Sequence, residues 1–186
     1  MPTSRGRIVM DVVGEQILAG AIAAGVIPAR ITEAIDLASG TSDGSIDLVY
    51  YQEKTGGAAS TTTSYDLSGP LTNAFGEAVV FSEVVCIAIR NKRTTALAYL
   101  TVGPHATNGF GIISGSKGFW GAAIGSGGGN IVGPAISSPG QDGWFVLYDP
   151  TGVPVTASTA DILAVVTSGV PGSTNAWDIL ILGRSA

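Results

Sequence analysis

Few residues of this chain could do chemistry, and His105 comes first because it is the only histidine. A Ser-His-Asp hydrolase needs its histidine within hydrogen-bond reach of a serine and an acid. The chain contains no G-x-S-x-G segment, which presents the nucleophilic serine in one group of hydrolases. His105 lies instead in GPHATNG, a segment of turn-forming residues. We therefore interpret it as a turn residue in contact with water.

Two short matches to enzyme motifs lack the context that those motifs require. S-x-x-K at residues 114–117 and K-T-G at residues 54–56 are motifs of penicillin-recognising enzymes. In those enzymes the serine opens a helix and the K-T-G strand comes later in the chain, whereas here the order is reversed. GSGGGN, residues 125–130, lacks both the spacing and the Lys-Ser/Thr pair of a phosphate-binding loop. These segments therefore indicate neither an enzyme nor a nucleotide site.

The remaining residue types that bind metals or react as nucleophiles are scattered. No set of cysteines and histidines is available for zinc, and the aspartates of residues 36–47 miss the EF-hand spacing, although calcium held by loop carboxylates stays an open alternative. Cys86 is the only cysteine, and its apolar neighbours indicate a buried thiol. We predict no catalytic residue, no cofactor and no metal, and therefore a protein that is not an enzyme.

The charge balance restricts the partners. The 186 residues include 9 basic and 14 acidic side chains, a net charge of −5, and only 12% are charged, about half of the usual ~25%. Nucleic-acid binding requires a basic stripe, so this balance argues against it. No run reaches the roughly 18 apolar residues of a membrane span. A surface with so few charges favours close association, and we predict a homo-oligomer.

From Ile46 onward the pattern is that of β-strands. IDLVYY alternates between two faces, and VVCIAI at residues 84–89 is apolar on both faces, as expected of a central strand. ALAYLTV, WFVLY, DILAVVT and WDILIL follow, separated by Gly- and Pro-containing turns. Many short strands predict an all-β fold, a β-sandwich with Greek-key or jelly-roll-like connections, over residues 46–186.

Residues 1–45 differ from this domain and are predicted to form an N-terminal arm. Apolar residues in VVGEQILAGAI recur at roughly helical spacing, but each glycine costs about 1 kcal/mol in a helix, and Pro28 limits its length. The sequence leaves a short helix and an irregular arm both open, and we expect an arm with one helical piece.

Three further local expectations concern turns and aromatic residues. Residues 149–152, Asp-Pro-Thr-Gly, have turn chemistry and are predicted to join WFVLY to VPVTA as a hairpin. Trp144 and Trp177 begin apolar strands and are predicted in the core. In YDLSGPLTNAFGEAVVF, Gly-Pro breaks a strand, Leu71 and Phe75 are expected to fill the end of the sandwich, and Gly76 releases the chain into the next strand.

A composite pattern extends from about residue 35 to the C-terminus. Its matching residues are Asp66, Leu67, Gly69, Leu71, Thr72, Ala74, Phe75, Gly76 and Phe81, then Pro139-Gly140, residues 155–161, Leu163 and residues 178–183. This pattern resembles a family of small virion proteins of tailed bacteriophages. Asn73 stands where that family usually has Asp, Trp177 stands where it usually has Tyr, residues 108–130 are longer than is typical, and residues 1–34 fall outside the likeness.

The resemblance implies a structural role in a virus particle. We expect a capsid decoration (cement) protein that binds the major capsid protein on the outer surface of the virion and is made in the host cytoplasm. A trimer suits the three-fold positions of a shell. A tail or head-fibre component and a carbohydrate-binding β-sandwich module are the alternatives.

The arm and one glycine-rich segment are the expected partner contacts. An arm too small for a core of its own gains stability only by docking. It carries Arg5, Arg7 and Arg30. Phe119 and Trp120 lie among glycines and alanines, where an aromatic side chain suits an anchor in a partner's pocket.

Overall fold

The computed structural model describes residues 4–18, 25–55, 60–69, 71–92, 99–111, 143–167 and 176–186, in which every regular element is a β-strand. The strands are β1 (Gly6–Leu18), β2 (Gly25–Ser39), β3 (Ser45–Ile46), β4 (Leu48–Thr55), β5 (Thr62–Asp66), β6 (Leu71–Thr72), β7 (Ala78–Val79), β8 (Glu83–Asn91), β9 (Leu100–Pro104), β10 (Gly143–Pro154), β11 (Ile162–Thr167) and β12 (Ala176–Arg184). The all-β prediction is confirmed. In these ranges no helix is long and apolar enough to cross a membrane.

Two antiparallel sheets pack face to face around the main core. The first has the strand order β10-β8-β12-β4, and the second has the order β5-β11-β9. Ile87 of β8 and Ile181 of β12 belong to the same buried cluster as Leu163 and Val165 of β11. Because burying one such side chain contributes about 1.5–3 kcal/mol, this shared interior is what holds the sheets together. Strand β8 lies inside its sheet, as its two apolar faces predict.

The pairing of the sandwich strands is nested along the chain. The first sandwich strand, β4, pairs with the last, β12; β5 pairs with the second-last, β11; and β8 pairs with β10. No two consecutive strands pair within either sheet. A long antiparallel hairpin folded over on itself gives this nesting, which is the jelly-roll arrangement. The predicted sandwich with crossed connections is therefore what the described residues form.

Aromatic residues connect the two sheets inside the core. The Tyr65 ring of β5 meets the Tyr50 ring of β4 edge to face, with the centroids 6.1 Å apart. The Tyr65 hydroxyl accepts a hydrogen bond from Trp177 Nε1 at 3.3 Å and donates to Gln52 Oε1 at 3.1 Å. Burial raises the pKa of Tyr65 to about 12. Trp177 is only 1% exposed, so its predicted core position is confirmed.

The N-terminal residues form a long β-hairpin, and the expectation of a helical piece there is wrong for the described residues. Strand β1 pairs with β2 without interruption from Gly6 opposite Leu37 to Leu18 opposite Gly25. The apolar doublets of this segment fit a helix and a strand equally well, but β-branched residues favour a strand once a partner strand exists. At its base, β2 also pairs with the two-residue strand β3 in parallel.

The Asp-Pro-Thr-Gly turn at residues 149–152 does not make the predicted hairpin. Strand β10 pairs with β8 on both sides of it, from Tyr148 opposite Cys86 to Val153 opposite Val84. The turn chemistry is present, because Asp149 Oδ1 accepts the Thr151 amide at 2.9 Å and Gly152 has a φ of +74°. The four residues form a bulge that protrudes from one continuous strand.

The YDLSGPLTNAFGEAVVF segment is a corner, but Phe75 does not fill it. The buried residues of this segment are Tyr65, Leu67, Val79 and Phe81, and Leu71 is partly buried and packed against the core cluster. Strands β6 and β7 form a small hairpin beyond the corner, and Phe75 lies at its tip, 90% exposed. Gly76 has a φ of +80°, as its predicted role requires. The prediction for Phe75 is wrong because the hairpin is too short to return its tip to the core.

Candidate functional site

The outer face of the four-stranded sheet, which points away from the sandwich core, consists of rows of register partners. The row nearest the hairpin contains Tyr148, Cys86, Leu182 and Val49. This row is buried or half-buried because Ile8, Ile35 and Leu37 of the hairpin belong to the cluster packed on it. Cys86 is buried, as the sequence predicts, and burial raises the pKa of its thiol to about 11.

The next row is apolar, and the described elements leave its two ends uncovered. It contains Val146, Ala88, Leu180 and Tyr51. Val146 and Tyr51 are exposed, while Ala88 and Leu180 are half-buried. A partly covered apolar row directly beside a covered one gives the outer face a continuous apolar surface that its own hairpin covers only in part.

The third row carries charges that neutralise one another. It contains Trp144, Arg90, Asp178 and Glu53. The Arg90 guanidinium lies 5.6 Å from the centroid of the Trp144 ring and 3.9 Å from Asp178 Oδ2. Lys92 Nζ lies 2.9 Å from Asp178 Oδ1 and also bonds Glu53. Hydrogen bonds to Glu53 and Asp178 raise the pKa of Lys92. This row therefore presents little unpaired charge to a partner.

Trp144 is 59% exposed, so its predicted core position is wrong. Its strand neighbours Phe145 and Leu147 point inward and pack against the core cluster. Side chains alternate along a strand, so Trp144 and Val146 must point outward. WFVLY is apolar on both faces, and only the register with β8 decides which face enters the core.

A groove, here called the hairpin groove, lies between strand β1 and the outer face. Its volume is about 600 Å³, and it is lined by Arg7, Ile8, Val9 and Met10 of β1 and by Cys86, Ala88, Trp144, Val146, Leu180 and Leu182 of the sheet. The lining is mostly apolar. Trp144 and Val146 on the sheet, like Val9 and Met10 on the hairpin, are among the large apolar residues that the described structure leaves exposed.

The tip of the β6–β7 hairpin is a second exposed apolar feature. Asn73 fixes its backbone: Oδ1 accepts the amides of Phe75 and Glu77, each at 2.9 Å, and the Asn73 amide donates to the Glu77 carbonyl at 2.9 Å. The Gly76 amide donates to the Asn73 carbonyl at 3.0 Å. A turn held by four hydrogen bonds thus presents the Phe75 ring to solvent.

Some residues of the bacteriophage-like pattern form a corner of the fold. Ser68 Oγ donates to Asp161 Oδ2 at 2.8 Å, and the same carboxylate oxygen accepts the Ser158 amide at 2.6 Å. Asp66 Oδ1 accepts the amides of Ser68 and Gly69 at 3.1 and 2.7 Å. Two separate segments of the pattern therefore meet at one corner, and their carboxylates hold backbone turns.

His105 lies in a turn, as the sequence predicts. Its Nδ1 accepts the Thr107 amide at 3.1 Å, and its own amide donates to the Ile162 carbonyl at 3.1 Å. In the part of the chain that the structure describes, no group of three or more His, Cys, Asp or Glu side chains could hold a metal ion.

The expected partner contacts are only partly within the described residues. Arg5 and Arg7 are exposed at the base of the hairpin, where Arg7 Nε lies 3.4 Å from Asp36 Oδ1. Arg30 lies on β2, and its Nε donates to Thr32 Oγ1 at 3.0 Å. Phe119 and Trp120 lie outside the described residues. The structure thus places the three arginines on one hairpin, but it does not bring all five residues together.

Sequence reasoning missed the outer face and the Phe75 tip. A usable signal was present for the first: WFVLY and WDILIL are apolar on both faces, whereas a strand at a sandwich surface has only one face in the core. The second has no local signal, since an aromatic residue between turn residues fits a buried corner as well as an exposed tip.

Comparisons with protein-family models, with curated proteins and with solved structures gave no match for this chain.

Proposed function

We propose that this chain is a non-enzymatic structural protein of a tailed-bacteriophage particle. Its role is that of a capsid decoration (cement) protein, which binds the outer surface of the major capsid shell as a trimer and stabilises that shell. The observation that carries the proposal is the rigid presentation of Phe75 at the tip of the β6–β7 hairpin. The sequence resemblance supplies the kind of particle.

An exposed aromatic residue on a fixed turn favours a binding role. Burying a phenylalanine side chain gains about 1.5–3 kcal/mol, a gain that the isolated chain forgoes at this position. Since the turn is already ordered, a partner that receives Phe75 spends little conformational entropy on the turn. Aromatic anchors that enter a pocket dominate the affinity of many protein interfaces. A shell protein with an apolar pocket is the partner that this tip suits.

The corner residues support a structural role rather than a reaction. Asp66 and Asp161 are two acidic residues of the bacteriophage-like pattern. Their carboxylates accept hydrogen bonds from backbone amides and from a serine hydroxyl. The jelly roll occurs in viral capsid proteins and in lectins alike, so the fold by itself does not choose between them.

One observation favours a second candidate, a carbohydrate-binding module. Trp144 and Tyr51 are exposed on the same sheet face, as stacking on sugar rings requires. They lie on the edge strands β10 and β4, three strand spacings or about 14 Å apart. Only an extended glycan would reach both rings. Glycan-array binding that is lost in Trp144→Ala would support this candidate over the first.

The test of the proposed function is binding to decoration-free shells. Phe75→Ala is expected to weaken binding about 10- to 100-fold, the equivalent of the burial energy of one aromatic side chain. It should also remove the thermal stabilisation of the shell. Phe75→Trp keeps an aromatic anchor and should retain most of the affinity. Ser64→Lys, at an exposed position on strand β5 of the other sheet, is the surface control.

Two outcomes would contradict the proposal. The first is wild-type affinity of Phe75→Ala for shells, together with unchanged shell melting. The second is electron cryo-microscopy of virions that locates the protein in the tail or a head fibre, which would favour that alternative within the same class.

A further inference from the structure

Two apolar surfaces lack a partner among the described residues of one copy, and they suit each other. We infer that the hairpin of one copy lies on the outer face of a second copy and fills the hairpin groove there. This contact joins copies of the chain, so the inference does not depend on which particle or shell the assembly binds.

The hairpin contributes one apolar face. Register places Leu37, Ile35, Glu33 and Ile31 of β2 on the same face as Ile8 and Met10 of β1. The base of this face, with Ile8, Ile35 and Leu37, packs on the sheet, while Ile31 further along is 71% exposed. Arg7 and Asp36 pair on the opposite face, which also carries the exposed Val9. This face of the hairpin is therefore buried against the sheet at its base and exposed to solvent further along.

The length of the hairpin makes a partner necessary. Strands β1 and β2 have 13 and 15 residues, whereas strands of globular proteins commonly have about 5–6, and a two-stranded hairpin alone is marginally stable in water. Strand β1 is the edge of its sheet, with β2 as its only strand partner among the described residues. An exposed edge of this length is a template for association, which proteins normally cover.

The sheet contributes the complementary surface. The covered row of the outer face meets its own hairpin; in the adjacent row Val146 and Tyr51 are exposed apolar residues, while Leu180 packs partly against the hairpin cluster. The hairpin cannot cover both rows from its present position, because the open hairpin groove separates Met10 from Val146. A second hairpin extends an intramolecular contact that already exists.

The hairpin face and the net charge agree with a second copy as the occupant. The exposed part of the hairpin face continues the face that already packs on the sheet, so the same side chains suit a second copy of the sheet. Each copy has a net charge of −5, so long-range attraction between copies is absent. The contact must be apolar, and salt should leave it unchanged or strengthen it by screening the repulsion.

The first experiment is sedimentation or light scattering of the full chain over a range of concentrations and salt. We expect Ile31→Lys on the hairpin and Val146→Lys on the sheet each to weaken self-association at least tenfold, because each places a charge in an apolar contact. Both residues are exposed, so the urea midpoint should stay unchanged at a dilution at which the wild type is monomeric. Phe75→Lys removes an even more exposed apolar side chain elsewhere, and it should associate like the wild type.

Cross-linking identifies the occupant. In a Cys86→Ala background, Ile31→Cys chains mixed with Val146→Cys chains should form disulfide-linked dimers on oxidation, whereas Phe75→Cys chains mixed with Val146→Cys chains should not. A wild-type chain that stays monomeric at its highest soluble concentration would overturn the inference. A double variant that cross-links only within one chain would overturn it as well, since the hairpin would then cover its own sheet. Shell binding by Phe75 variants is a separate measurement, so either proposal can fail alone.

Discussion

Substituting Arg184 measures how strongly strand β12 is held in the fold, because the charged side chain of this residue is only 1% exposed. The guanidinium donates from Nε to Glu83 Oε2 at 2.7 Å, from Nη1 to the Ser42 carbonyl at 2.7 Å and from Nη2 to the Thr151 carbonyl at 2.5 Å. One side chain therefore connects the last strand with the start of β8, the loop before β3 and the bulge in β10.

The expected cost of Arg184→Ala follows from these partners. Removing one member of a buried ion pair costs about 3–5 kcal/mol, since the remaining groups stay desolvated without their partner. The Glu83 side chain is 38% exposed, so water can rehydrate it, and the loss should lie near the lower end. For a domain of this size, each kcal/mol lowers Tm by about 2–4 °C. A loss of about 3 kcal/mol therefore predicts a Tm about 6–12 °C below that of the wild type.

Urea unfolding at neutral pH measures this loss, and Arg7→Ala is the matched control. Arg7 also pairs with an aspartate, but both side chains are mostly exposed, and such pairs contribute about 0–1 kcal/mol. Arg184→Lys should be intermediate, because an ammonium keeps the charge but cannot reproduce the guanidinium fork. If Arg184→Ala costs no more than Arg7→Ala, the side chain does not hold these elements together and the reasoning fails.

Two further predictions concern how deeply individual side chains are buried. Phe75→Ala should change the unfolding free energy by less than about 0.5 kcal/mol, whereas Phe81→Ala should cost about 3–5 kcal/mol; equal losses in urea would show that Phe75 is buried after all. Stability should be level up to about pH 9 and fall from there to about pH 12, because burial raises the pKa of Cys86 from 9.0 to about 11 and that of Tyr65 from 10.0 to about 12. The unfolded chain loses these protons first, so rising pH favours unfolding. Urea midpoints at about pH 8 and about pH 10.5 measure the fall, which should be smaller in Cys86→Ala; a level profile would contradict the assignment.

The sequence was sufficient for the class of fold and for the central strand. VVCIAI can satisfy two apolar faces only inside a sheet that is covered on both sides, and β8 has one face in the sandwich core and the other partly under the hairpin. The turn residues were also readable, since Asp149 and Gly152 make the local contacts that their types favour. Which strands these turn residues connect could not be predicted, because a turn inside a strand and a turn between strands use the same residue types.

When a strand is apolar on both faces, its own sequence does not tell which face enters the core. Trp144 and Trp177 each open such a strand, yet one is exposed and the other buried. Trp177 lies opposite Asn91 in β8, whereas Trp144 lies opposite Arg90, one residue further along the same strand. A one-residue difference in register exchanges the faces. Since register is set by pairing between distant segments, the exposed part of the candidate surface could not be assigned before the sheet was known.

The residues of the bacteriophage-like pattern divide between corners of the fold and the candidate surfaces: Asp161 holds a corner, whereas Leu180 and Leu182 lie on the outer face. Corners tolerate few residue types: a Cβ on Gly183 would lie 2.3 Å from the Glu83 carbonyl oxygen, and the Asp47 carboxylate holds the Ser185 amide at 2.8 Å. The outer face requires only side chains that are apolar and fit a partner, which many sequences satisfy. The corner residues therefore constrain the architecture, while residues of the outer face and of the tip constrain a partner surface. At Phe75 both constraints meet, because hydrogen bonds to Asn73 fix its backbone and leave its ring exposed. Substituting Phe75 consequently tests the proposed function without removing the contacts that hold the corner.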